Sequence, residues 1–340
     1  MTAAAPAGSD YAALSREVRA AGLLRRRHGY YAVRMTANFL AFAGAWVAFA
    51  LIGDSWWQLV TAAFLALVFA QLAFIGHDAG HCQIFRTRRP NDVVGLLHGG
   101  LVGMSYRAWI SSHNRHHANP NHEEDDPDLH IAVLAFTTDQ ARMKTGFLRW
   151  MAKHQALLFF PLLTLEGLSL HLKGVKAVLS SNQSSRRLEG TLLAVHAIAY
   201  LTVVFMVLSP PVAIAFIVVH QALWGVYMGC SFAPNHKGMP TIDDEARDFL
   251  RKQVLTSRNI QGGFFTDFAL GGLNYQIEHH LFPNMPRPHL RHVQPIVRRF
   301  CADHGIAYHE TSLIDSYRQV LSHLHAMGAP IRTPVPANAT

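Results

Sequence analysis

The chain has 340 residues, of which 50% are hydrophobic and only 15% are charged. This composition is too apolar for an ordinary soluble enzyme, while the polar ends exclude a bundle made only of membrane helices. The formal net charge of +8 fits the cytoplasmic surface of a membrane protein, next to anionic lipid. The sequence does not interleave its basic residues with aromatic residues on a soluble face, so it does not predict nucleic-acid binding.

Four apolar stretches predict membrane-spanning helices arranged as two hairpins. At about 1.5 Å per residue, each crosses most of a hydrocarbon core about 30 Å thick. Basic residues flank both hairpins on their outer sides, so the positive-inside rule places the N-terminus and the C-terminus in the cytoplasm. The prediction is an all-α membrane protein with about four spans, near residues 36–53, 56–76, 190–208 and 211–230.

The remaining sequence predicts a cytosolic helical cap, which we define as residues 77–189 and 231–328. Together with the spans it forms one domain over residues 36–328. Within the cap, residues 94–110 are short and glycine-rich, which favours a re-entrant or interfacial segment. Residues 156–172 contain Pro161 and two ionisable residues, Glu166 and His171, which favours an interfacial amphipathic helix over a span.

The two ends of the chain differ from this domain. Residues 1–35 are predicted to be a basic N-terminal arm with a short amphipathic helix, and they contain no apparent cleavable signal peptide. Residues 329–340 are rich in alanine, proline and threonine, which predicts disorder. The three cysteines have no CxxC spacing, which predicts a reducing compartment.

Histidines at helical spacing form three clusters beside these apolar segments. Eight imidazoles at one depth exceed what one metal uses, since catalytic zinc typically takes three protein ligands, so two metals are expected. Nitrogen-only sites with open positions suit redox-active iron. The candidate ligands are His77, His81, His113, His116, His117, His279 and His280 from the clusters, and His236 directly after the fourth span.

Polar side chains close to these clusters in sequence could orient the imidazole rings from outside. A lone histidine within a span, such as His196 or His220, more often packs or forms a hydrogen bond than binds a metal. The candidate outer partners are Asp78, Asn235, Gln276, Glu278 and the acidic run Glu123, Glu124, Asp125, Asp126 and Asp128.

The motifs HDAGH (77–81), HNRHH (113–117) and QIEHH (276–280) resemble the three histidine boxes of the integral-membrane fatty acid desaturases. The order of the boxes and the hairpins that precede the first and third boxes agree, over about residues 35–300. The resemblance implies four membrane helices under a cytosolic cap in which the eight histidines hold two irons. His236 matches an additional histidine that this family supplies after the fourth span. Gln276 replaces a histidine that many members carry, which implies a weak ligand or an outer partner.

The resemblance implies an enzyme that uses O₂ and two electrons to insert a cis double bond into an acyl chain. The expected substrate is a fatty acyl group that is already esterified to coenzyme A, a carrier protein or a membrane lipid. The chain contains no His-Pro-Gly-Gly haem motif of a fused cytochrome b5 domain, so electrons are expected from a separate donor. That donor is a ferredoxin, or cytochrome b5 with its reductase. The expected location is the plasma membrane of a bacterium, with the active site facing the cytoplasm.

Other functions remain open at this stage. A hydroxylase, a ketolase or an acetylenase could use the same scaffold, because the outcome of the oxidation depends on substrate positioning that the boxes do not encode. A non-enzymatic metal transport or sensing protein would need polar residues throughout the spans, and these are nearly absent. A bis-histidine haem protein would need histidine pairs that face each other in the middle of the membrane.

Overall fold

The computed structural model describes residues 9–180, 185–241 and 248–332. Apart from two short 3-10 turns and one pair of two-residue strands, the regular structure of these residues is α-helical, which confirms the predicted fold class. In chain order the helices are α1 Asp10–Ala20, α2 His28–Ile52, α3 Gln58–Gly80, α4 Arg88–Val102, α5 Tyr106–Ala118, α6 Thr138–Met143, α7 Gly146–Lys153, α8 Gln155–Leu163, α9 Glu166–Ser180, α10 Arg186–Val207, α11 Pro210–His236, α12 Phe249–Leu255, α13 Phe264–Ala269, α14 Gln276–Leu281, α15 Leu290–Asp303, α16 Leu313–Met327 and α17 Ala329–Arg332.

The short elements lie in the cap. The strands β1 (Asn259–Ile260) and β2 (Glu310–Thr311) pair in parallel and join the segment before α13 to the segment before α16. The 3-10 turns are Pro127–Leu129, which contains the last residue of the acidic run, and Arg287–His289, which follows the third box.

Four helices, α2, α3, α10 and α11, are long and apolar enough to cross a membrane. They form the two predicted hairpins, with Gly53 at φ +65° ending α2 and Pro210 at the first turn of α11. The helices extend past the apolar stretches: α2 begins at His28 rather than at 36, and α11 continues to His236 rather than to 230. Hydropathy marks the apolar part of a helix, whereas the helix continues until its backbone hydrogen bonds end.

The segment predicted as one interfacial helix at 156–172 is a bent pair. Helices α8 and α9 meet at an angle of 72°, and together they are long and apolar enough to form a broken span or a re-entrant loop. Gly225 of α11 packs against this bend, where a Cβ atom would lie 2.5 Å from the carbonyl oxygen of Leu163. Close approach through small residues is how helices associate where lipid removes the hydrophobic driving force.

The predicted N-terminal arm divides between the cap and the first span. Helix α1 buries Leu14 and Val18 completely, against a cap cluster that includes Leu250 and Val293. The arm is therefore part of the packed structure, because this face of α1 is apolar at helical spacing. At the other end, residues 329–332 form α17 and bury Ile331, whereas the rest of the predicted disordered tail lies outside the described residues.

Helices α3 and α11 lie side by side in the interior of the span region and end at the same surface. Their core includes the fully buried Phe69, Phe216 and Trp224. Because each helix returns from the far side of its hairpin, the first histidine cluster and His236 come to the same side of the bundle. The cap covers that side.

Candidate metal centre

The end of α3 carries the first two imidazoles. His77 is in the last turn of α3 and His81 directly follows the helix, with ring centroids 4.8 Å apart. The Nδ1 atom of His77 lies 3.3 Å from Asp78 Oδ1, and Asp78 Oδ2 pairs with Arg287 at 2.6 Å. A carboxylate held in this way fixes the ring of His77 and leaves its Nε2 for another partner.

Helix α5 supplies three imidazoles from its last turns. Ser105 caps the helix by accepting a hydrogen bond from the backbone N–H of Ala108. Trp109 stacks on His113 one turn later, with ring centroids 4.5 Å apart. The Nε2 atoms of His113 and His117 lie only 3.1 Å apart, so their lone pairs point at one small volume.

The third imidazole of α5 has its own acidic support. The Nδ1 atom of His116 donates to Asp126, whose two carboxylate oxygens both lie at 3.0 Å, and Asp128 Oδ2 lies 3.6 Å away. Asp126 is fully buried and also accepts from the backbone N–H of Asn121. The acidic run thus provides one buried outer partner, and it leaves the Nε2 of His116 facing His236 Nε2 at 3.3 Å.

The last residues of α11 and the short helix α14 complete the set. His236 donates from Nδ1 to the carbonyl oxygen of Thr256 at 3.1 Å, and His280 donates from Nδ1 to Gln253 Oε1 at 2.8 Å. Each ring therefore turns Nε2 toward the other imidazoles. His279, also in α14, is completely buried.

The eight predicted histidines converge on one site, and seven of them form two groups. In each group the ligand atoms lie within 4.8 Å of one another. His117 lies between the groups, 3.1 Å from His113 through Nε2 and stacked on His280 with ring centroids 4.1 Å apart. The first group is His77, His81, His113 and His279, and the second is His116, His236 and His280.

Several nitrogens of these groups are buried without any hydrogen-bond partner among the described residues. A buried polar atom left in this way is costly unless something binds it. A metal ion with imidazole ligands fits this donor set, since neutral imidazole binds zinc, copper, iron and nickel. The atoms are Nε2 of His77, His81 and His280, Nδ1 of His117, and both nitrogens of His279.

Burial also keeps most of the cap imidazoles neutral. It is the largest cause that lowers the pKa of His81, His113, His117, His279 and His280, and repulsion among the rings adds to it. His116 differs: burial lowers its pKa, but the carboxylates of Asp128 and Asp126 outweigh burial and raise it. A deprotonated imidazole is the form that binds a metal, so this environment favours ligation.

Gln276 and Asn235 lie at the second group. Gln276 Nε2 is 2.9 Å from His236 Nε2, and Gln276 Oε1 accepts from Asn235 Nδ2 at 3.2 Å. The amide group of Gln276 is thus among the imidazoles, where a histidine in its place would add a ninth ring.

Glu278 has different contacts from those expected. Its carboxylate accepts from Asn259 Nδ2 at 2.7 Å and from the Tyr308 hydroxyl at 2.8 Å, so it joins α14 to β1 rather than orienting an imidazole. Burial raises the pKa of Glu278 to about 7, although both hydrogen bonds act in the opposite direction. On α14 it therefore points away from the side that carries the rings.

The sequence of the chain matches the model of a known protein family. The model described as "Fatty acid desaturase" matches residues 54–312, which is about three quarters of the chain. The chain belongs to the fatty acid desaturase family. The matched region contains all three boxes and both histidine groups, so the resemblance found in the sequence is confirmed at the level of the family.

Curated desaturases are similar over most of the chain. The acyl-lipid (9-3)-desaturase of Physcomitrium patens is 32% identical over 313 residues, which is 87% of this chain and 58% of that protein. The Delta(8)-fatty-acid desaturase of Helianthus annuus is 29% identical, over 97% of this chain and 76% of that protein. The Delta(6)-fatty-acid desaturase fat-3 of Caenorhabditis elegans is 30% identical, over 81% and 66%. This chain thus spans less than two thirds of the first and third of these desaturases.

The sequence did not reveal several partners of the imidazoles. Gln253 and the carbonyl group of Thr256 lie 23 and 20 residues before the third box in sequence, in or directly after the short helix α12, and no motif marks them. Arg287 follows the third box by seven residues and lies between two prolines, a pattern that does not predict a contact with Asp78. These contacts arise from the fold of the cap.

The two histidines within the spans do not join the metal-binding groups. The Tyr200 hydroxyl lies 2.9 Å from His220 Nδ1, and His196 stacks on Tyr200 with ring centroids 6.0 Å apart. Nearby, His171 Nε2 lies 3.1 Å from Gln221 Oε1. These residues form a separate polar cluster among the helices.

Proposed function

We propose that the protein is an O₂-dependent fatty acyl desaturase that inserts a cis double bond into an acyl chain at a two-iron centre. The observation that carries the proposal is the convergence of eight histidines, seven of them in two groups, within the region that matches the desaturase family. Five of the eight have a buried nitrogen without a hydrogen-bond partner. The proposed ligands are the eight histidines, with Gln276 beside the second group. The reaction uses O₂, two electrons and two protons, removes two hydrogens from adjacent methylene carbons, and releases two waters.

Iron would supply the oxidising power to break an unactivated C–H bond, which no side chain can do. The protein supplies the rest. Buried, uncharged imidazoles offer strong ligands, and Asp126, Gln253 and the Thr256 carbonyl fix the rings through their Nδ1 atoms. The buried setting also keeps bulk water away from the reacting carbons.

The proposal includes a membrane location, partners and an orientation. The substrate is a fatty acyl group carried by coenzyme A, a carrier protein or a lipid, and electrons come from a separate ferredoxin or cytochrome b5 with its reductase. Basic residues flank both hairpins on the side of the cap, which supports a cytoplasmic active site. The proposed location is the plasma membrane of a bacterium.

The test is expression of the protein in cells that lack endogenous desaturases, followed by mass spectrometry of the total acyl chains and measurement of iron in the purified protein. Wild type is expected to yield a new acyl chain lighter by two hydrogens and to hold about two irons per chain, the count typical of two-metal sites. His116→Ala and His280→Ala are expected to lose the product and part of the iron.

The matched control is His292→Ala, because His292 is exposed and lies outside both groups. It is expected to keep the product and the iron. The proposal is wrong if the two site variants keep both iron and product. A product that gains one oxygen, instead of losing two hydrogens, would make the protein a hydroxylase.

A further inference from the structure

A basic pocket lies outside the metal centre, beside the N-terminal helix. It has a volume of about 330 Å³ and is lined by Arg19, Gly22, Leu24, Arg25, Arg26 and Arg86. Four of these six residues are arginines, and none is acidic. We call it the arginine pocket.

The pocket is formed by the way helix α1 ends. Gly22, at φ +73°, donates its N–H to the carbonyl of Arg19, and the next N–H bonds to the carbonyl of Val18. This turn is a common helix ending that glycine favours. It reverses the chain so that the side chain of Arg25 lies over Gly22, where a Cβ atom would be 3.7 Å from Arg25 Nε. The turn therefore brings arginines on both sides of Gly22 to one place.

The four cations are not neutralised within the described residues. The ion pairs that form there use other arginines. Arg26 donates to the carbonyl oxygen of Asn284 at 2.7 Å, while its Nε is buried without a hydrogen-bond partner. Burial is the largest cause that lowers the pKa of Arg26, and repulsion from the nearby Arg86 acts in the same direction. The pocket therefore gathers four arginines that form no ion pair with a described carboxylate.

The pocket lies close to both the membrane boundary and the metal centre. Arg25 and Arg26 directly precede the first span, which begins at His28. Arg86 is five residues after the box histidine His81, so their Cα atoms are at most about 18 Å apart. An anion bound in the pocket is therefore held within the length of a lipid or cofactor arm from the proposed irons.

We propose that the arginine pocket binds a phosphate group of the acyl carrier. This inference rests on the proposed function, since it assigns the carrier end of that enzyme's substrate. Guanidinium groups match phosphate oxygens in geometry and charge, and several together favour a phosphate over a carboxylate carrier. Coenzyme A esters and phospholipids share this chemistry, and the experiment distinguishes them.

The experiment measures binding without turnover. The iron-loaded full chain in detergent micelles is titrated with stearoyl-coenzyme A and, separately, with distearoyl-phosphatidylcholine, while the electron donor is withheld. The triple variant Arg19→Gln, Arg25→Gln and Arg86→Gln removes three exposed charges and retains Arg26, which holds the Asn284 carbonyl. The matched control is Arg89→Gln, an exposed arginine three residues beyond Arg86 that does not line the pocket.

For the true carrier, the triple variant is expected to bind at least about tenfold more weakly than wild type. Binding by wild type is also expected to weaken as salt is added. Arg89→Gln is expected to bind like wild type. A loss for the coenzyme A ester alone identifies that carrier, and a loss for the phospholipid alone identifies the other. The proposal is overturned if the triple variant binds both the coenzyme A ester and the phospholipid as tightly as the control does. The arginines would then act only as a general surface charge.

Two further readouts keep the interpretation secure. The unfolding midpoint and the iron content of the triple variant are compared with those of the control. If the triple variant does not fold, Arg25→Gln alone replaces it, and its affinity for the carrier is expected to fall by about threefold or more. Product analysis with electrons supplied is done in parallel. If binding depends on the arginines but neither acyl substrate gives a product, the desaturase proposal fails and the phosphate pocket stands. If product forms but binding is indifferent to the arginines, only the pocket proposal fails.

Discussion

The buried ion pair between Arg287 and Asp78 offers the sharpest test of how the cap holds the metal centre. The Arg287 and Asp78 side chains are 6% and 3% exposed, and their charged groups are 2.6 Å apart. Arg287 also donates to the carbonyl oxygen of Phe74 at 2.8 Å, and its backbone N–H donates to the Tyr31 hydroxyl. One arginine thus ties the segment after the third box to the end of α3, where His77 depends on Asp78.

Arg287→Met leaves the Asp78 carboxylate buried without a counter-charge. Breaking a buried pair from one side typically costs about 3–5 kcal/mol, and a large domain loses about 2–4 °C of melting temperature per kcal/mol, so a drop of at least about 6 °C is expected. Asp78→Asn leaves the guanidinium unpaired and is expected to be comparably destabilising. The double variant removes both charges, so its loss should be smaller than the sum of the single losses by about 1.5 kcal/mol or more.

The assay is thermal unfolding of the four proteins in one detergent, read by intrinsic fluorescence, with iron content measured in parallel. The control is Arg318→Met, because Arg318 pairs with Asp315 at 2.7 Å while the two side chains are 74% and 49% exposed. That surface pair is expected to contribute little to stability, because solvent and salt screen exposed charges. If the two single losses add in the double variant, or if Arg287→Met is as mild as Arg318→Met, the pair does not hold the site together.

Three further results are expected. Asp126→Asn weakens the orientation of His116 and should lower iron affinity about 10–100-fold in metal titrations, whereas the exposed Asp125→Asn should leave it unchanged. Gly225→Ala places a methyl group against backbone atoms of the bend between α8 and α9, so it should destabilise the protein by about 1–3 kcal/mol. The control is Gly44→Ala, whose methyl group meets open space on α2, so the stability of the protein should stay the same or rise. The metal-stripped protein should melt at lower temperature as pH falls below about 6.5, because burial lowers the pKa of five cap imidazoles and the unfolded chain then binds protons that the folded chain excludes. The opposite shift at His116 reduces this effect without reversing it, and a melting temperature that rises on acidification would contradict the reasoning.

The parts of the fold that the sequence predicts are those with a local signal. Apolar stretches of membrane length predict the four spans, and histidines three and four residues apart predict a shared helix face. These two signals together suffice to bring the three boxes and His236 to one surface. The boundaries were less accurate, because α2 begins eight residues before its apolar stretch and α11 carries His236 inside the helix.

The parts that could not be predicted depend on contacts between distant segments. Nothing local distinguishes Gln253 from any other glutamine, yet its side chain accepts the hydrogen bond of His280 and donates one to the carbonyl of His117. Glu278 shows the converse: its place between Gln276 and His279 suggested a role at the rings, whereas its contacts lie on the other side of α14. On a helix, adjacent residues point about 100° apart, so nearness in sequence alone does not predict a shared face.

The hydrogen-bond partners of the imidazole Nδ1 atoms come mainly from the fold of the cap and not from the boxes. Three imidazoles donate from Nδ1 to acceptors that lie outside the boxes. His116 donates to Asp126, His280 donates to Gln253 in α12, and His236 donates to the carbonyl oxygen of Thr256. Only His77 has its acceptor within its own box, and that acceptor, Asp78, in turn needs Arg287 from beyond the third box. A chain with all three boxes intact but a misfolded segment between α11 and α13 would therefore keep the motifs and lose the orientation of their rings. For this reason the cap, rather than the boxes alone, is the unit on which metal binding depends.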